Sequence, residues 1–317
     1  MILVTGVAGF IGYHVAEKLC ANGVEVVGID NINSYYDPTL KVARVKRLEG
    51  KKGFSFQKID ICDFDGLKEL FNRCRFDRIC HLAAQAGVRY SITDPFAYQK
   101  SNNEGFLNLI ELARHGRINN FVYASSSSVY GSNTKFPFAE SDRTDNPISL
   151  YAATKKANEL VAHCYSHLYD LPCSGLRFFT VYGPWGRPDM ALFKFTRAII
   201  ADEPIDVYNN GDMKRNFTFI DDIVQGVILT LMHPVADEIY NIGNSRAEQL
   251  MDFIREIENN LGKKARINYL PMQPGDVPAT VADIAKLQKL GYEPKTNIDT
   301  GIKRFVEWYK EYYKDKS

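Results

Sequence analysis

Tyr151 and Lys155 are four positions apart, a spacing that places both side chains on one face of a helix, about one turn from each other. A phenol has a pKa near ~10 in water and is a poor base at neutral pH, but a neighbouring ammonium stabilises the phenolate and lowers that pKa. The preceding run Ser125–Ser128 offers a hydroxyl that completes a proton relay. The pattern predicts removal of a proton from a substrate alcohol, although an ordinary surface helix produces the same spacing by chance.

The start of the chain decides between these two interpretations. The apolar run Met1–Thr5 opens into Gly6-Val-Ala-Gly9-Phe-Ile-Gly12, and a helical pattern follows through Leu19. Glycines between a strand and a helix let the backbone approach a pyrophosphate, whose charge is met by N–H groups at the start of the helix. The spacing is G-x-x-G-x-x-G, and in this context it predicts a dinucleotide site rather than a simple turn.

A second predicted strand, Val24–Ile29, ends at Asp30. A carboxylate at this point hydrogen-bonds a ribose 2′-hydroxyl and repels a 2′-phosphate. Asn31, Ile32 and Asn33 follow, so no arginine stands there to bind such a phosphate. These residues favour NAD over NADP as the cofactor.

Strand and helix patterns continue to alternate after Asp30. Strands predicted at Phe54–Ile59, Asp77–Leu82 and Phe121–Ala124 are separated by helical stretches near 63–74, 94–114 and 149–169. This alternation predicts an α/β fold of the Rossmann type, a doubly wound parallel sheet in which ligands bind beyond the carboxyl ends of the strands. One crevice is therefore expected to hold the segments that follow strands: Gly6–Gly12, Asp30, Asp60, Ala83–Gly87 and Ser125–Ser128.

The pattern changes after about residue 172. Pro172–Phe179 is predicted as a strand, and Thr180–Met190 is a Gly/Pro-rich loop whose length and aromatic residues are typical of a functional loop. Arg187 in this loop and Arg215 further on are candidates for binding a phosphate, although a lone loop arginine is more often a solvated charge.

The rest of the chain predicts a second, smaller unit. Helices are expected near 247–260, 283–290 and 299–314, with a strand at Arg266–Leu270. We expect an NAD-binding domain of residues 1–177 plus about 217–243, and a C-terminal α/β substrate-binding lobe of residues 178–216 and 244–317.

The composition argues against several other functions. The net charge of +1 gives no electrostatic basis for binding nucleic acid or an anionic membrane, and the basic stretch Lys41–Lys52 is predicted to be one face of a solvated helix. The six cysteines show no C-x-x-C pair and no metal-ligand spacing with the histidines, so no metal site is expected. No run approaches the ~20 apolar residues that cross a bilayer, and no signal peptide precedes the first strand. A cytoplasmic protein is expected.

Together these motifs resemble the extended short-chain dehydrogenase/reductase family, in particular its nucleotide-sugar 4-epimerases. The resemblance covers nearly the whole chain. It rests on the glycines, Asp30, Asp60, the serine run, Tyr151 and Lys155, and on a further set of residues: His81-Leu-Ala-Ala84, Asn102, Val129-Tyr-Gly131 and Arg215.

Local features bear on the subfamily. Dehydratases of this family carry an acidic pair in the active-site loop, and the related decarboxylases a glutamate, where this chain has Ser127 and Ser128. Without a carboxyl group there, elimination has no obvious acid or base. UDP-galactose 4-epimerases typically have asparagine where Thr180 stands and a phosphate-binding arginine where Gln273 stands. The segments that look like the UDP-glucuronate 4-epimerases are Asp30–Pro38, Ala84–Ser91, Gly183–Ala191 and Gln273–Ala279.

The resemblance implies interconversion of UDP-glucuronate and UDP-galacturonate. Tyr151, as phenolate, removes the C4 hydroxyl proton through or beside Ser126, while NAD takes the C4 hydride and later returns it to the opposite face of the 4-keto sugar. Lys155 and the positive charge of the nicotinamide lower the pKa of the tyrosine, and Lys155 also holds the nicotinamide ribose. Two alternatives remain, a 4-epimerase of a neutral UDP-hexose (UDP-galactose or a UDP-N-acetylhexosamine) and a non-catalytic NAD-binding regulator, which would have no need of Tyr151, Lys155 and the serines.

A uronate substrate adds a hazard, because its 4-keto intermediate is a β-keto acid that loses CO2 readily. A pocket that holds the carboxylate out of alignment with the carbonyl π system protects the intermediate. Ser127, Ser128 and Thr180 are neutral donors suited to this task, and we hypothesise that they bind the carboxylate.

The resemblance also implies the ligand contacts. The cofactor is expected to contact Gly6, Gly9, Phe10, Ile11, Gly12, Asp30, Asn31, Asp60, Ile61, Leu82, Ala83, Ala84, Tyr151 and Lys155. The UDP-sugar is expected to contact Arg89, Ser127, Ser128, Thr180, Arg187, Phe193, Arg215 and Asp276. In the second set Arg187 and Arg215 take the diphosphate. Asp276 takes the UMP ribose, and the loop around Phe193 takes the uracil.

Three further expectations come from the same relatives. Asn102 is expected to tether the sugar–diphosphate region or the loop that carries it. Tyr13 stands where most relatives have a small residue, so its ring must point away from the pyrophosphate. Relatives are usually homodimers that pair the helices near 94–114 and 149–169 into a four-helix bundle, and a homodimer is therefore expected.

Overall fold

Strands and helices alternate along most of the chain in the computed structural model, which describes residues 1–272 and 277–314. In chain order the strands are Ile2–Thr5 (β1), Val26–Ile29 (β2), Phe54–Gln57 (β3), Arg78–His81 (β4), Asn120–Ser126 (β5), Cys173–Phe178 (β6), Thr180–Tyr182 (β7), Pro204–Tyr208 (β8), Lys214–Arg215 (β9), Phe217–Phe219 (β10), Asp237–Ile242 (β11), Glu248–Gln249 (β12) and Arg266–Leu270 (β13).

The α-helices are Phe10–Ala21 (α1), Pro38–Glu49 (α2), Phe64–Arg73 (α3), Tyr90–Thr93 (α4), Pro95–Tyr98 (α5), Gly105–His115 (α6), Leu150–Tyr169 (α7), Ala191–Ile200 (α8), Ile220–Met232 (α9), Leu250–Leu261 (α10), Ala285–Gln288 (α11) and Ile298–Tyr313 (α12). The helix predicted near 94–114 is divided, because the π-helical segment Gln99–Glu104 separates α5 from α6. The helix predicted near 283–290 is a single turn, α11, and Gly291 with a φ of +92° follows it.

A seven-stranded parallel sheet forms the centre of the molecule, in the order β11-β6-β5-β4-β1-β2-β3. The chain moves outward from β1 in one direction and then crosses over to β4, so the strand order reverses next to β1. In such sheets the crevice beyond the carboxyl ends at the reversal point is the usual ligand site. The predicted doubly wound α/β fold is confirmed.

Both faces of the sheet are buried. Adjacent strand residues point to opposite faces, so Leu3 and Val4, each fully buried, belong to two different apolar clusters. The cluster with Val4 includes apolar residues of α1 and α9, and the cluster with Leu3 includes those of α3 and α6. Near-continuous apolar strands of this kind are typical of parallel sheets covered by helices on both sides.

The later part of the chain adds smaller sheets. β7 pairs with β10, β8 with β13 and β9 with β12. β11 returns to the main sheet beside β6, which agrees with the proposal that residues near 217–243 belong with the first 177; the exact division into two lobes stays a prediction. Across the two described ranges, no helix has the length and apolar character needed to cross a membrane.

Candidate active site

The glycine loop between β1 and α1 is packed too closely for any side chain. Gly6 has a φ of +69°, and a Cβ there would lie 2.7 Å from the backbone nitrogen of Ala83. A Cβ on Gly12 would lie 2.2 Å from the carbonyl oxygen of Gly6. α1 begins after Gly9, which provides no side-chain cap, so the N–H groups of its first turn remain for a ligand. This arrangement fits the pyrophosphate of a dinucleotide.

Two carboxylates follow the neighbouring strands. Asp30, after β2, accepts hydrogen bonds from the backbone N–H groups of Ala8 (3.1 Å) and Ile32 (2.8 Å). Burial raises the pKa of Asp30, and those two N–H groups oppose the rise. Because both carboxylate oxygens are held by backbone donors, the side chain is fixed beside the glycine loop with lone pairs left for ribose hydroxyls.

Asp60 lies one strand further from the glycine loop. It accepts hydrogen bonds from the Asn31 side chain (2.9 Å) and the Cys62 backbone (2.9 Å). Burial alone would raise the pKa of Asp60, but these donors hold it below its usual value. The predicted cofactor residues Asn31 and Asp60 are therefore in contact. Together with Asp30 and the glycines they fit a dinucleotide with a free 2′-hydroxyl, as in NAD.

Asn102 connects the loop after β4 to the helix that carries Tyr151. Its side chain accepts a hydrogen bond from the Gln85 backbone (2.8 Å) and donates to the Gln85 carbonyl (3.0 Å) and the Thr154 hydroxyl (3.0 Å). The predicted cofactor residues Leu82, Ala83 and Ala84 lie in this loop. Asn102 thus fixes one wall of the crevice against α7.

Tyr151, Lys155 and Ser126 meet at the carboxyl end of β5. The Lys155 ammonium is buried and donates to the carbonyl of Ala124 (2.8 Å), and burial lowers its pKa to about 7. Burial raises the pKa of Tyr151, while a hydrogen bond with Ser126 and the charge of Arg187 lower it. Burial is the largest of these effects, and the pKa of Tyr151 is raised above its usual value. The lowering of this pKa by Lys155 and the nicotinamide charge stays a prediction; the Lys155 ammonium itself is directed at the Ala124 carbonyl.

A buried ion pair supports the serine loop from behind. Glu159, eight positions after Tyr151 on α7, accepts two hydrogen bonds from Arg177 (2.8 and 2.9 Å) and one from Ser125 (2.6 Å). Arg177 also donates to the hydroxyl of Tyr130 at the end of the serine turn (3.0 Å). Both charged side chains are less than 5% exposed. The pair therefore fixes the serine loop against the helix that carries Tyr151 and Lys155.

Arg187 reaches the same crevice from the loop that follows β7. It forms a two-point ion pair with Asp189 through Nε (3.0 Å) and Nη2 (2.5 Å), and the Tyr35 hydroxyl also donates to Asp189 (3.1 Å). Burial would raise the pKa of Asp189, but the charge of Arg187 lowers it below its usual value. A cavity is lined by Phe10 and Thr180 together with Arg187. Predicted cofactor and substrate residues thus share one cavity.

The other predicted substrate residues lie around this crevice. Ser127 and Ser128 form a 3₁₀ turn, and the Ser128 N–H donates to Ser126 (3.2 Å). The guanidinium of Arg89 lies 4.9 Å from the ring centre of Tyr208, at the end of β8. Arg215 lies on β9 and donates to two backbone carbonyls. Asp276 and Gln273 lie outside the described residues.

Phe193 lines the same cavity as Thr180 and Arg187, although its ring is packed into the core. Its ring is 3% exposed and packs edge-on against Phe305 and Tyr309 of α12. The ring is therefore a core residue between α8 and α12, because its apolar surface is already covered by aromatic side chains. Binding of uracil by the surrounding loop stays a prediction.

The interpretation of Lys41–Lys52 as one face of a solvated helix is wrong for two of its basic residues. The stretch runs from α2 into the turn after it, and its later basic residues are exposed, but Lys41 and Arg44 are 5% and 0% exposed. Lys41 donates to the backbone and side chain of Asn33, in the loop after Asp30. The burial of Lys41 and Arg44 was not predicted, because the segments that cover α2 are not adjacent to it in sequence. One available signal was the Asp30–Pro38 segment, which resembles one subfamily. Lys41 and Arg44 bind Asn33 and Tyr36 of this segment.

Tyr13 now has a structural explanation. Its ring is buried and lies 5.7 Å from that of Trp185, and its hydroxyl accepts a hydrogen bond from Arg47 (3.0 Å) and donates to Glu17 (3.1 Å). The ring therefore packs between α1, α2 and the loop that contains Arg187. This agrees with the expectation that it points away from the pyrophosphate.

Residues 3–305 match the family model described as GDP-mannose 4,6 dehydratase. The chain belongs to this family. The predicted place among the extended short-chain dehydrogenases/reductases is thereby confirmed.

The chain also has relatives that match over nearly its whole length. It is 52% identical to Protein CapI of Staphylococcus aureus, with 99% of each chain covered. It is 47% identical to UDP-glucuronate 4-epimerase 4 of Arabidopsis thaliana, over 98% of this chain and 76% of that protein. The crystal structure of UDP-glucuronic acid 4-epimerase from Bacillus cereus, in complex with UDP-glucuronic acid and NAD, superposes with a TM-score of 0.92 at 35% identity, covering 98% of this chain and 99% of that one.

Proposed function

We propose that the protein catalyses NAD-dependent epimerisation of UDP-glucuronate to UDP-galacturonate at C4, through a 4-keto intermediate. The observation that carries this proposal is the meeting of Tyr151, Ser126 and Lys155 at the carboxyl end of β5, on the same edge of the parallel sheet as the glycine loop after β1. Relatives over 98% of the chain include proteins named UDP-glucuronate 4-epimerase.

The side chains of the crevice divide the proton chemistry between them. Tyr151 takes the C4 hydroxyl proton, directly or through Ser126, and gives it back at the end of the cycle. NAD, when bound, supplies the acceptor for the C4 hydride and then the donor that returns it to the other face. Lys155 holds its ammonium against the end of β5, one helical turn from Tyr151. Its position suits a contact with the nicotinamide ribose.

The uronate carboxylate is the second part of the proposal. Ser127 and Ser128 follow the carboxyl end of β5, and Thr180 follows that of the neighbouring strand β6. All three offer neutral hydroxyl donors, and Arg187 lines the same cavity as Thr180. Neutral donors can hold the carboxylate without supplying an acid or base for elimination. We expect Ser128→Ala to raise the amount of decarboxylated pentose product relative to the epimer. An unchanged ratio would exclude Ser128 from this role.

A neutral UDP-hexose remains the second candidate substrate, and one observation favours it. Arg187, which lines the same cavity as Thr180, is paired with Asp189, so its charge is already balanced within the protein. Competition separates the two candidates: UDP-glucuronate should inhibit binding of a fluorescent UDP analogue more strongly than UDP-glucose does. Equal inhibition by the two would favour the neutral substrate.

The proposed activity is tested by incubating purified protein with UDP-glucuronate and no added NAD. We expect UDP-galacturonate to form, because the cofactor is regenerated in each cycle and stays bound. Tyr151→Phe should lower the turnover by about 10²- to 10⁴-fold, since it removes the general acid–base group. Absence of any product from protein that carries dinucleotide would contradict the proposal.

A homodimer is proposed from the surfaces of α6 and α7. Leu107 on α6 and Leu160 and Leu168 on α7 are 49%, 55% and 64% exposed. Apolar side chains in a row on two adjacent helices support pairing with a second copy. Light scattering of the wild type and of Leu160→Glu should give dimer and monomer masses. The cytoplasmic location likewise stays a prediction.

A further inference from the structure

Arg44 is the most completely buried charged side chain outside the proposed catalytic group. It is 0% exposed, and its four terminal N–H groups all donate to neutral oxygens. Nη1 donates to the carbonyl of Ala8 (2.8 Å) and the hydroxyl of Tyr36 (2.7 Å). Nη2 donates to the carbonyls of Trp185 (2.6 Å) and Gly186 (3.1 Å). None of these bonds reaches a carboxylate, so the charge is not cancelled by a directly bonded partner.

The oxygens that Arg44 binds belong to two different ligand sites. Ala8 is part of the glycine loop, and its N–H is held by Asp30. Trp185 and Gly186 directly precede Arg187 in the loop that is expected to bind the UDP-sugar. Arg44 is therefore a single side chain that connects the cofactor loop to the substrate loop.

The Trp185–Arg187 turn has a strained backbone that the hydrogen bonds from Arg44 stabilise. Trp185 has a φ of +59°, in the left-handed region that bulky side chains rarely adopt. Its carbonyl and the next one are both held by Arg44, and its ring packs against Trp308 at 5.3 Å. Without the guanidinium, two buried carbonyls would lose their donors, and the turn that orients Arg187 would relax.

We propose that Arg44 is a positioning residue that joins the glycine loop and the Trp185–Arg187 turn into one unit, so that its charge supports dinucleotide retention and its reach fixes the UDP-sugar site. The charge acts on the glycine loop, next to the expected dianionic pyrophosphate. The reach acts on the turn, because only a planar group with paired donors contacts both loops at once. This inference rests on the proposed placement of the two ligands, but it does not depend on which sugar is converted.

Two substitutions separate the effect of the positive charge of Arg44 from the effect of its hydrogen bonds to both loops. Arg44→Lys keeps the positive charge, but three N–H donors on one nitrogen cannot serve four oxygens on two loops. Arg44→Met removes both charge and donors. Arg47→Met is the matched control, because Arg47 lies on the same helix and its guanidinium stacks 5.2 Å from the Trp185 ring, yet it is exposed and binds neither of these carbonyls.

The experiment measures three quantities on each purified variant. They are the fraction of chains that carry dinucleotide, the dissociation constant for UDP in excess NAD, and the melting temperature. For Arg44→Lys we expect dinucleotide content within twofold of wild type and UDP binding about tenfold weaker. For Arg44→Met we expect both to fall about tenfold or more. Arg47→Met should change neither by more than twofold.

Three results would overturn the inference: normal UDP binding by Arg44→Lys, equal losses in Arg47→Met, or a lower melting temperature in the Arg44 variants with both affinities unchanged. If Arg44→Met does not fold, Arg44→Lys still decides the question. Because UDP is the probe, failure here is distinct from failure of the proposed function, which would show as intact UDP and NAD binding without conversion of UDP-glucuronate.

Discussion

Arg177 and Arg44 are both buried beside the crevice, but their charges are handled differently. Arg177 forms a two-point ion pair with Glu159, and both side chains are less than 5% exposed. Arg44, fully buried, donates only to carbonyls and a phenol. The first charge is cancelled by its directly bonded carboxylate, so its field reaches little beyond the serine loop. The second has no bonded carboxylate and lies between the two ligand loops.

We infer from this difference that Arg177 mainly stabilises the fold, whereas Arg44 mainly contributes to ligand binding. A paired buried charge fixes structure and is costly to break, but it adds little to the potential at a distance. A buried guanidinium held by carbonyl dipoles keeps its positive potential, and the adjacent ligands expected here are anionic. We therefore expect changes at Arg177 to appear mainly in stability and changes at Arg44 mainly in ligand binding.

The largest expected effect is on stability, at Arg177. Arg177→Met removes the two-point partner of the buried Glu159 and leaves it only Lys156 at 3.3 Å and the Ser125 hydroxyl, so it should lower the free energy of unfolding by about 3 kcal/mol, as measured by urea titration. The double variant Glu159→Leu/Arg177→Met removes both charges and should recover most of that loss. A double variant no more stable than the single one would show that the pair's geometry, and not the unpaired charge, dominates.

Lys155 extends the comparison to a third buried cation. Like Arg44 it donates to a carbonyl, and burial lowers its pKa from 10.5 to about 7. Below about pH 7 both folded and unfolded chains are protonated there, and the full cost of burying the ammonium is present. As the pH rises further, the unfolded state binds more protons than the folded state, so stability rises.

Lys155→Met lacks this rise. Its free energy of unfolding relative to wild type should therefore decrease by about 2 kcal/mol between pH 7 and about pH 9, as measured by urea titration at each pH. The other titrating groups cancel in this difference. A difference that stays constant over this range would mean that the ammonium is not desolvated as the structure indicates.

A smaller effect is expected in ligand-dependent stability. Saturating UDP stabilises the folded state in proportion to the logarithm of its affinity, so a tenfold weaker affinity in Arg44→Lys removes about 1.4 kcal/mol of that stabilisation. Arg177→Lys should retain the full UDP-dependent increment although its starting stability is lower. Equal increments in the two variants would remove the distinction between the two arginines.

The smallest expected effects come from two hydroxyls. Tyr130 accepts from Arg177 and donates to Asn241, both buried, so Tyr130→Phe should lower the free energy of unfolding by about 1 kcal/mol with no change in UDP binding. Tyr36 accepts from Arg44, so Tyr36→Phe should weaken UDP binding about twofold. Urea titration should show the loss of stability in Tyr130→Phe, and calorimetry should show the weaker UDP binding in Tyr36→Phe. If both variants lost stability and UDP affinity alike, the distinction between Arg177 and Arg44 would be contradicted.

Much of the fold was predictable from local sequence. Strand patterns, the spacing Gly6–Gly9–Gly12 and the carboxylate of Asp30 are short-range signals, because the sheet and its ligand edge follow from alternation alone. The pairing of Tyr151 with Lys155 is also local, since both lie on one helix. Their positions therefore follow from the pattern, whereas their pKa values depend on burial by distant segments.

The parts that sequence reasoning missed are long-range. Arg44 binds residues 36 and 142 positions away, and nothing in α2 distinguishes it from its exposed neighbour Arg47. The packing of the Phe193 ring against α12 was not predicted, because α12 lies more than a hundred residues further on. Charge and aromatic residues in a helix do not reveal which face is covered until the other elements are placed.

The most direct test of the proposed chemistry is to follow the hydrogen on C4. Purified protein is incubated in ordinary water with UDP-glucuronate that carries deuterium at C4, and the UDP-galacturonate formed is analysed by mass spectrometry and NMR. Removal of the hydroxyl proton by Tyr151 and return of the same hydride predict deuterium retained at C4 of the product. Loss of the label to solvent would contradict hydride return and would require a proton abstracted from carbon.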